Sequence, residues 1–284
     1  MGSKWASGIG KWAALGLVGL VLAGCGSGGG SGSNAAAPVT TVQLSGIVVD
    51  GPVVSAAVEV RDAEGALLAV TTTDGSARYA VEVAIEDAVF PLTVSVTGGT
   101  NLVTGGPPAV ELASFVSTPL PEVTANVTML STLAVGVAEQ MPNGLTISNL
   151  GAANKTLRDT LSFGLDAAAF DQLTIVPVTD DRLAGILKAS ETLAEMLRRT
   201  TSELMITGEV ASAVDVLEAL QADLVDGTLD GIGAPAADAR VTGVSVLVTA
   251  QVMLEAITNA LQVNGVDANG LLNTALQQVL SVPD

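Results

Sequence analysis

The chain has 284 residues, with eleven Lys and Arg against twenty-nine Asp and Glu, no His and a single Cys, for a formal charge of −18. That balance repels nucleic acid and anionic headgroups. The missing imidazole removes Ser-His-Asp and Cys-His nucleophiles, His-bound zinc and most general bases that work near neutrality. One Cys allows no disulfide within the chain. A hydrophobic content of 49% is too high for a disordered chain, so stability must come from packing alone.

Residues 1–24 read as a secretory signal. Lys4 and Lys11 give a basic start, residues 13–23 form an apolar run, and small residues lead up to Cys25. The run is short for a membrane span, which takes roughly 20 residues. Leu22, Ala23, Gly24 and Cys25 resemble, position by position, the lipobox of bacterial lipoproteins. The resemblance implies a diacylglyceryl group on the Cys25 thioether and cleavage just before it. It also implies passage through the lipoprotein processing and sorting machinery. Two or more acyl chains hold a protein on a bilayer that one chain binds only marginally. Gly26 stands where, in that family, an Asp favours inner-membrane retention in many Gram-negative bacteria, so the outer membrane is the expected destination. Cleavage would remove Trp5, Trp12, Lys4 and Lys11, leaving nine basic residues and moving the charge from −18 to −20.

Residues 25–39 hold the lipidated Cys and a Gly/Ser-rich tether, a composition that forms flexible coil. Residues 40–123 are strand-rich. Strands are expected at 42–50, 54–61, 66–72, 78–85, 92–96 and 110–116, with turns at Gly51-Pro52, 62–65 and Asp74-Gly75. Val58 and Val60 alternate with Glu59 and Arg61, and Tyr79, Val81, Val83 and Ile85 share one face. Short strands at this spacing predict an antiparallel β-sandwich of transthyretin or immunoglobulin type. The run from Gly46 to Val53, then Ala56-Ala57-Val58 and Thr73-Asp74-Gly75 with Tyr79, resembles the carboxypeptidase regulatory-like domains. These are transthyretin-like seven-stranded sandwiches common in exported bacterial proteins. The resemblance covers about a third of the chain and implies a non-catalytic spacer or interaction domain. Ser76-Ala77-Arg78 before the tyrosine departs from the family pattern.

Residues 124–284 change to a helical period. Asn126 is the expected N-cap of a helix running to Gln140, stopped by Pro142-Asn143-Gly144. A second helix is expected over 148–164. Thr179 would cap a third, with Asp180 and Asp181 in its first turn. Its apolar positions Leu183, Ile186, Leu187, Leu193, Leu197 and Leu204 fit a 3.6 period, and Gly208 ends it. Val210, Val214, Leu217, Leu220 and Leu224 mark a fourth helix, closed by Asp226-Gly227. Pro235 suits the first turn of a fifth. Residues 241–254 carry no charge and read as a buried central helix. Arg240 and Glu255 bound a stretch too short to cross a membrane. A last helix is expected over 269–280. The predicted fold class is therefore α+β, a β-sandwich followed by an all-α bundle of about six helices. The junction run Asn126-Val127-Thr128-Met129-Leu130-Ser131-Thr132-Leu133 resembles that of uncharacterised exported lipoproteins that join a strand-rich module to a helical domain.

Catalytic chemistry has few places to sit. Lys155 and Lys188 are the only lysines left after cleavage, and neither follows a serine by three residues or a phosphate-loop pattern. The glycine pairs Gly98-Gly99 and Gly105-Gly106 read as turns. Lys155 with Arg158, and Arg198 with Arg199, read as ion-pair partners. Asp223, Asp226 and Asp230 surround a glycine turn and could hold calcium through oxygen ligands, although they miss the EF-hand alternation. A pair of carboxylates could in principle hydrolyse glycosides, but no tryptophan would remain as a sugar platform. The expected function is a non-enzymatic, lipid-anchored envelope protein that binds an envelope partner or ligand and no nucleic acid. A calcium-dependent adhesion or scaffold protein is the alternative. A carboxylate-only hydrolase and a carrier of small hydrophobic ligands are further rivals.

Overall fold

Alternation sets the first strand. In a computed structural model that describes residues 40–165, 170, 174 and 180–280, β1 (Thr41–Val49) buries Val42 and Leu44 and exposes Thr41, Gln43 and Ser45. Past Gly46 it is buried on both faces. The strands that follow are β2 (Val53–Val54), β3 (Ala57–Arg61), β4 (Leu67–Thr72), β5 (Arg78–Ala84), β6 (Leu92–Thr97) and β7 (Thr100–Asn101). Then come β8 (Leu112–Val116), β9 (Glu122–Thr124) and β10 (Val127–Thr128). One four-stranded sheet runs β4-β3-β6-β8, antiparallel throughout. In the other, β1 pairs antiparallel with β5, from Thr41↔Ala84 to Ile47↔Arg78. The purely antiparallel expectation fails on the opposite edge of β1, where β9 and β10 both pair in parallel. The chain returns to β1 from the far side on its way into the helices, and arriving from that side it runs in the same direction.

Asp62 and Asp74 place the two expected turns by accepting backbone N–H groups two and four residues ahead, at 2.8–3.0 Å. Such Asx turns satisfy donors that no strand can reach. Gly46 faces Tyr79 across the β1–β5 ladder. A β-carbon there would come within 2.9 Å of the Tyr79 ring and closer still to the Ala125 carbonyl, to which the Tyr79 hydroxyl donates. Only glycine fits this approach.

Six helices follow among the described residues: α1 (Met129–Gln140), α2 (Ile147–Thr160), α3 (Asp180–Thr207), α4 (Ala213–Asp223), α5 (Ala239–Ile257) and α6 (Ala268–Leu280). The N-cap of α1 is Thr128, not Asn126. Thr128 and Ser131 form a reciprocal capping box, while Asn126 is buried and accepts from the Ile47 N–H at 3.2 Å. Thr179 lies outside the described residues. Pro235 sits before α5 rather than in its first turn, and Asp238 is the cap. Gly208 (φ +76) and Gly227 (φ +95) take the left-handed conformation just past α3 and past the 3-10 turn Leu224–Asp226 that extends α4.

The uncharged helix α5 is not buried all round. Val241, Ser245, Val248, Val252 and Ala256 face inward, but Leu247 is 74% exposed, Leu254 64% and Ile257 71%. A stretch without charge need not be an interior helix when only one side of it is packed. Between α5 and α6, β11 (Gln262–Val263) and β12 (Val266–Asp267) form a small hairpin. Its turn is Asn264-Gly265, both at positive φ.

Helices and sheets share one hydrophobic cluster that extends from Val42 on β1 to Val279 on α6, within a single compact unit, Pro38–Asp284. The fold is mixed α+β. Polar side chains stitch its two kinds of structure together. β8 is an edge strand, and Ala113 on it has both backbone groups taken by the start of α1. Ser131 Oγ donates to the Ala113 carbonyl at 2.6 Å, and Thr132 Oγ1 accepts from its N–H at 2.9 Å. An exposed edge is thereby covered without another strand. On α3, Ser190 Oγ donates to the Val49 carbonyl and accepts from the Met129 N–H.

Candidate functional site

Cys25, Leu22, Ala23 and Gly24 lie outside the described residues. The three acids of the calcium expectation do not converge. Asp223 ends α4 fully buried, and both of its oxygens are used. One accepts from the backbone N–H groups of Asp230 (3.3 Å) and Gly231 (2.8 Å), the other from the Thr242 hydroxyl (2.6 Å). Asp226 caps Thr228, through its N–H at 2.9 Å and its hydroxyl at 2.7 Å, and Asp230 caps Ile232 at 2.9 Å. It is the backbone of Asp230, not its carboxylate, that meets Asp223. Among the described residues no group of three acids has the geometry to hold a metal.

A different cluster of charge lies between β1 and α3. Glu191, Glu195 and Arg198 fall at i, i+4 and i+7, on one face of α3. Arg198 pairs with Glu191 and, at 2.9 Å, with Glu195. Glu195 continues to Arg199 at 2.8 Å. Arg199 then forks onto both oxygens of Glu255 on α5 at 2.9 and 2.8 Å and donates to the Gln262 carbonyl at 2.7 Å. This bidentate geometry is the strong form of the interaction, and it holds Glu255 below the ordinary carboxylate range. Asp50 joins from the turn after β1. Its backbone carbonyl accepts from the Asn101 side chain, and the residue is 2% exposed.

Four carboxylates thus face two guanidinium groups. Asp50 Oδ1 and Glu191 Oε2 have no hydrogen-bond partner. Burial raises both acids, Glu191 most, with Arg198 opposing the shift and their mutual repulsion adding to that of Glu191. A charge without water must be neutralised, and a proton does so at least structural cost. The helical spacing of Glu191, Glu195 and Arg198 is legible in the sequence. Nothing there brings Asp50 to them, because it reads as an ordinary turn residue.

The second feature is a groove of about 400 Å³ between α3 and α6. Leu187, Leu272 and Leu276 form its apolar side, and Lys188, Asn259 and Asn269 its polar side. Lys188 donates to Asn259 Oδ1 at 2.8 Å. Asn259, at φ +54, has its carbonyl held by the Asn269 side chain. Among the described residues no carboxylate lines the groove, although that of Asp267 accepts from the Asn269 N–H at 2.9 Å; the polar lining is one ammonium and side-chain amides. The remaining surface cations flagged from the sequence are paired: Lys155 meets Asp159 at 2.6 Å and Arg158 meets it at 3.4 Å.

No known protein family, curated protein or solved structure matches the chain.

Proposed function

We propose that the chain is a non-enzymatic lipoprotein of the bacterial cell envelope, anchored through a lipidated Cys25 and favouring the outer membrane, whose folded part binds a partner. The observation that carries the binding role is the apolar face of α5. Leu247, Leu254 and Ile257 stand in solvent on a helix whose other side is packed. Large apolar side chains exposed along one side of a helix mark a candidate interaction site. The anchor rests on Leu22-Ala23-Gly24-Cys25 and the Gly/Ser-rich stretch after it.

The strand-rich part is read as a transthyretin-like sandwich acting as a stalk or docking module, supported by its two four-stranded sheets. The helical part is read as a bundle acting as the binding unit. A calcium-dependent scaffold draws no support from the acidic turn, where Asp223 has no free oxygen. Carriage of a small ligand is a second reading, favoured by the groove beside Lys188.

Replacing Cys25 by Ser tests the anchor. The substituted protein is expected to be released from its membrane or mislocalised. A substituted protein that fractionates with membranes as the unsubstituted one does would refute it.

A further inference from the structure

We propose that the exposed face of α5 is a seam on which two copies of this chain pair, α5 against α5 in opposite directions about a two-fold axis. The inference rests on the reading of α5 as the binding face and names the partner.

Spacing selects another helix. Gly243, Leu247, Ala250, Leu254 and Ile257 are all exposed, and they follow one another at intervals of four, three, four and three residues. That alternation is the seam by which one helix packs its side chains between those of another.

Size selects the same helix reversed. Along the seam the large Leu247 and Leu254 alternate with the small Gly243 and Ala250. In a parallel pair like meets like: leucine faces leucine, and glycine and alanine face each other across a gap. In opposite directions Leu247 meets Ala250 of the second copy, Leu254 meets its Gly243, and Ile257 lies on the stem of its Arg240. A β-carbon at Gly243 would meet nothing within 4 Å, so its place is an open notch for the leucine. A two-fold contact makes each of these pairs twice.

Charge admits a second copy here. With twenty-nine acids against eleven bases, two such molecules repel over most of their surface. Residues 241–254 carry no charge, and both charges that bound them are neutralised within the chain. Arg240 pairs with Glu209 at 2.5 Å, and Glu255 accepts from both terminal nitrogens of Arg199. The 19 residues of α5 give a strip about 28 Å long on which two copies touch without setting acid against acid. Reversal also keeps the two Arg240 side chains apart. A bilayer is the other apolar partner, but helices that lie in a membrane surface carry basic and aromatic flanks. Helix α5 has one arginine and no aromatic residue.

The test is sedimentation equilibrium of the mature chain, residues 25–284 with Cys25→Ser, which contains the whole compact unit Pro38–Asp284. A helix pair of this length is at the small end of specific interfaces, so a micromolar monomer–dimer equilibrium is expected. It should tighten as NaCl rises from about 50 to about 500 mM, because salt screens the like charges. Ala250→Glu should weaken pairing at least about tenfold, because it buries an unpaired charge in both copies. Gly243→Leu adds apolar surface but fills the notch, and should weaken pairing as well. Ile232→Glu, at an exposed position off the seam, should leave it unchanged. Spin labels on Thr258→Cys should lie about 30 Å apart in the dimer, against about 10 Å for a parallel pair. A monomer at every concentration up to about 500 µM, pairing that Gly243→Leu strengthens, or labels about 10 Å apart would each overturn the proposal. So would a monomer that sediments with phosphatidylcholine vesicles unless it carries Ala250→Glu. Should a seam variant fail to fold, the label distance and the salt dependence decide. A persistent monomer leaves α5 to a different protein, and pull-down of the acylated chain with and without Ala250→Glu reads that separately.

Discussion

Glu191 is fully buried, with one oxygen on Arg198 and the other without a partner. Burial pushes its carboxyl from the ordinary 4.5 up to about 8, and that of Asp50 from 3.8 up to about 6. A carboxyl raised by folding binds more protons in the folded protein than in the unfolded chain. The stability it contributes is therefore full below about pH 4.5 and is lost as pH rises through 8. Glu255 works in the opposite sense: Arg199 lowers it, so its contribution is lost as pH falls below the ordinary carboxylate range. The denaturation midpoint is accordingly expected to decline between pH 6 and 8. Glu191→Gln should match the unsubstituted protein near pH 5, exceed it at pH 8 and abolish most of the slope. A midpoint that rises from pH 6 to 8, or a slope that survives the substitution, would contradict this account. At this scale the sequence is informative within one helix and silent across the fold. The ion pairing of Arg198 and Arg199 follows from helical spacing. The meeting of Glu191 with Asp50, 141 residues earlier in the chain, depends on packing that no local pattern encodes.

Among the elements, α1 shows how a cap can serve two structures at once. Ser131 completes the capping box with Thr128 and also donates to Ala113 on the edge strand β8. Ser131→Ala removes both bonds. A cap alone is worth about 1 kcal/mol, and losing the bond to the half-buried Ala113 carbonyl, which Thr132 Oγ1 still reaches at 3.4 Å, costs about 0.5–1.5 kcal/mol more. A loss of about 1.5–2.5 kcal/mol by denaturant unfolding is the expected outcome; a change under about 0.5 kcal/mol would mean that the Ser131 hydroxyl does not bridge helix and strand. Element types were legible wherever period and punctuation agreed: the alternation of β3 and β5, the leucine period of α3, and the stops at Gly208 and Gly227. The N-terminus of α1 was misplaced because Asn126 and Thr128 are both good caps, and tertiary contact of Asn126 with Ile47 decided between them. The hairpin of β11 and β12 could have been found from Asn264-Gly265, a strong turn signal. The parallel pairing of β9 and β10 with β1 could not, because those strands are two and three residues long.

Over the whole molecule, an acidic, histidine-free chain packs strands and helices around one continuous core. Mixed α+β architecture was readable from the change of period near residue 124, because period reports local structure directly. Whether a helix such as α5 is covered on all sides is a property of the assembled fold, and absence of charge over 241–254 did not decide it. The groove beside Lys188 was illegible for the same reason: Lys188, Asn259 and Asn269 come from three separate stretches of chain. The proposed role joins this body to a membrane through one sulfur. Intact mass measurement of the protein purified from its native envelope tests that link most directly. The account predicts a species beginning at Cys25 and carrying the added mass of a diacylglyceryl group; an unmodified thiol at Cys25, or a mature species that retains residues 1–24, would contradict it.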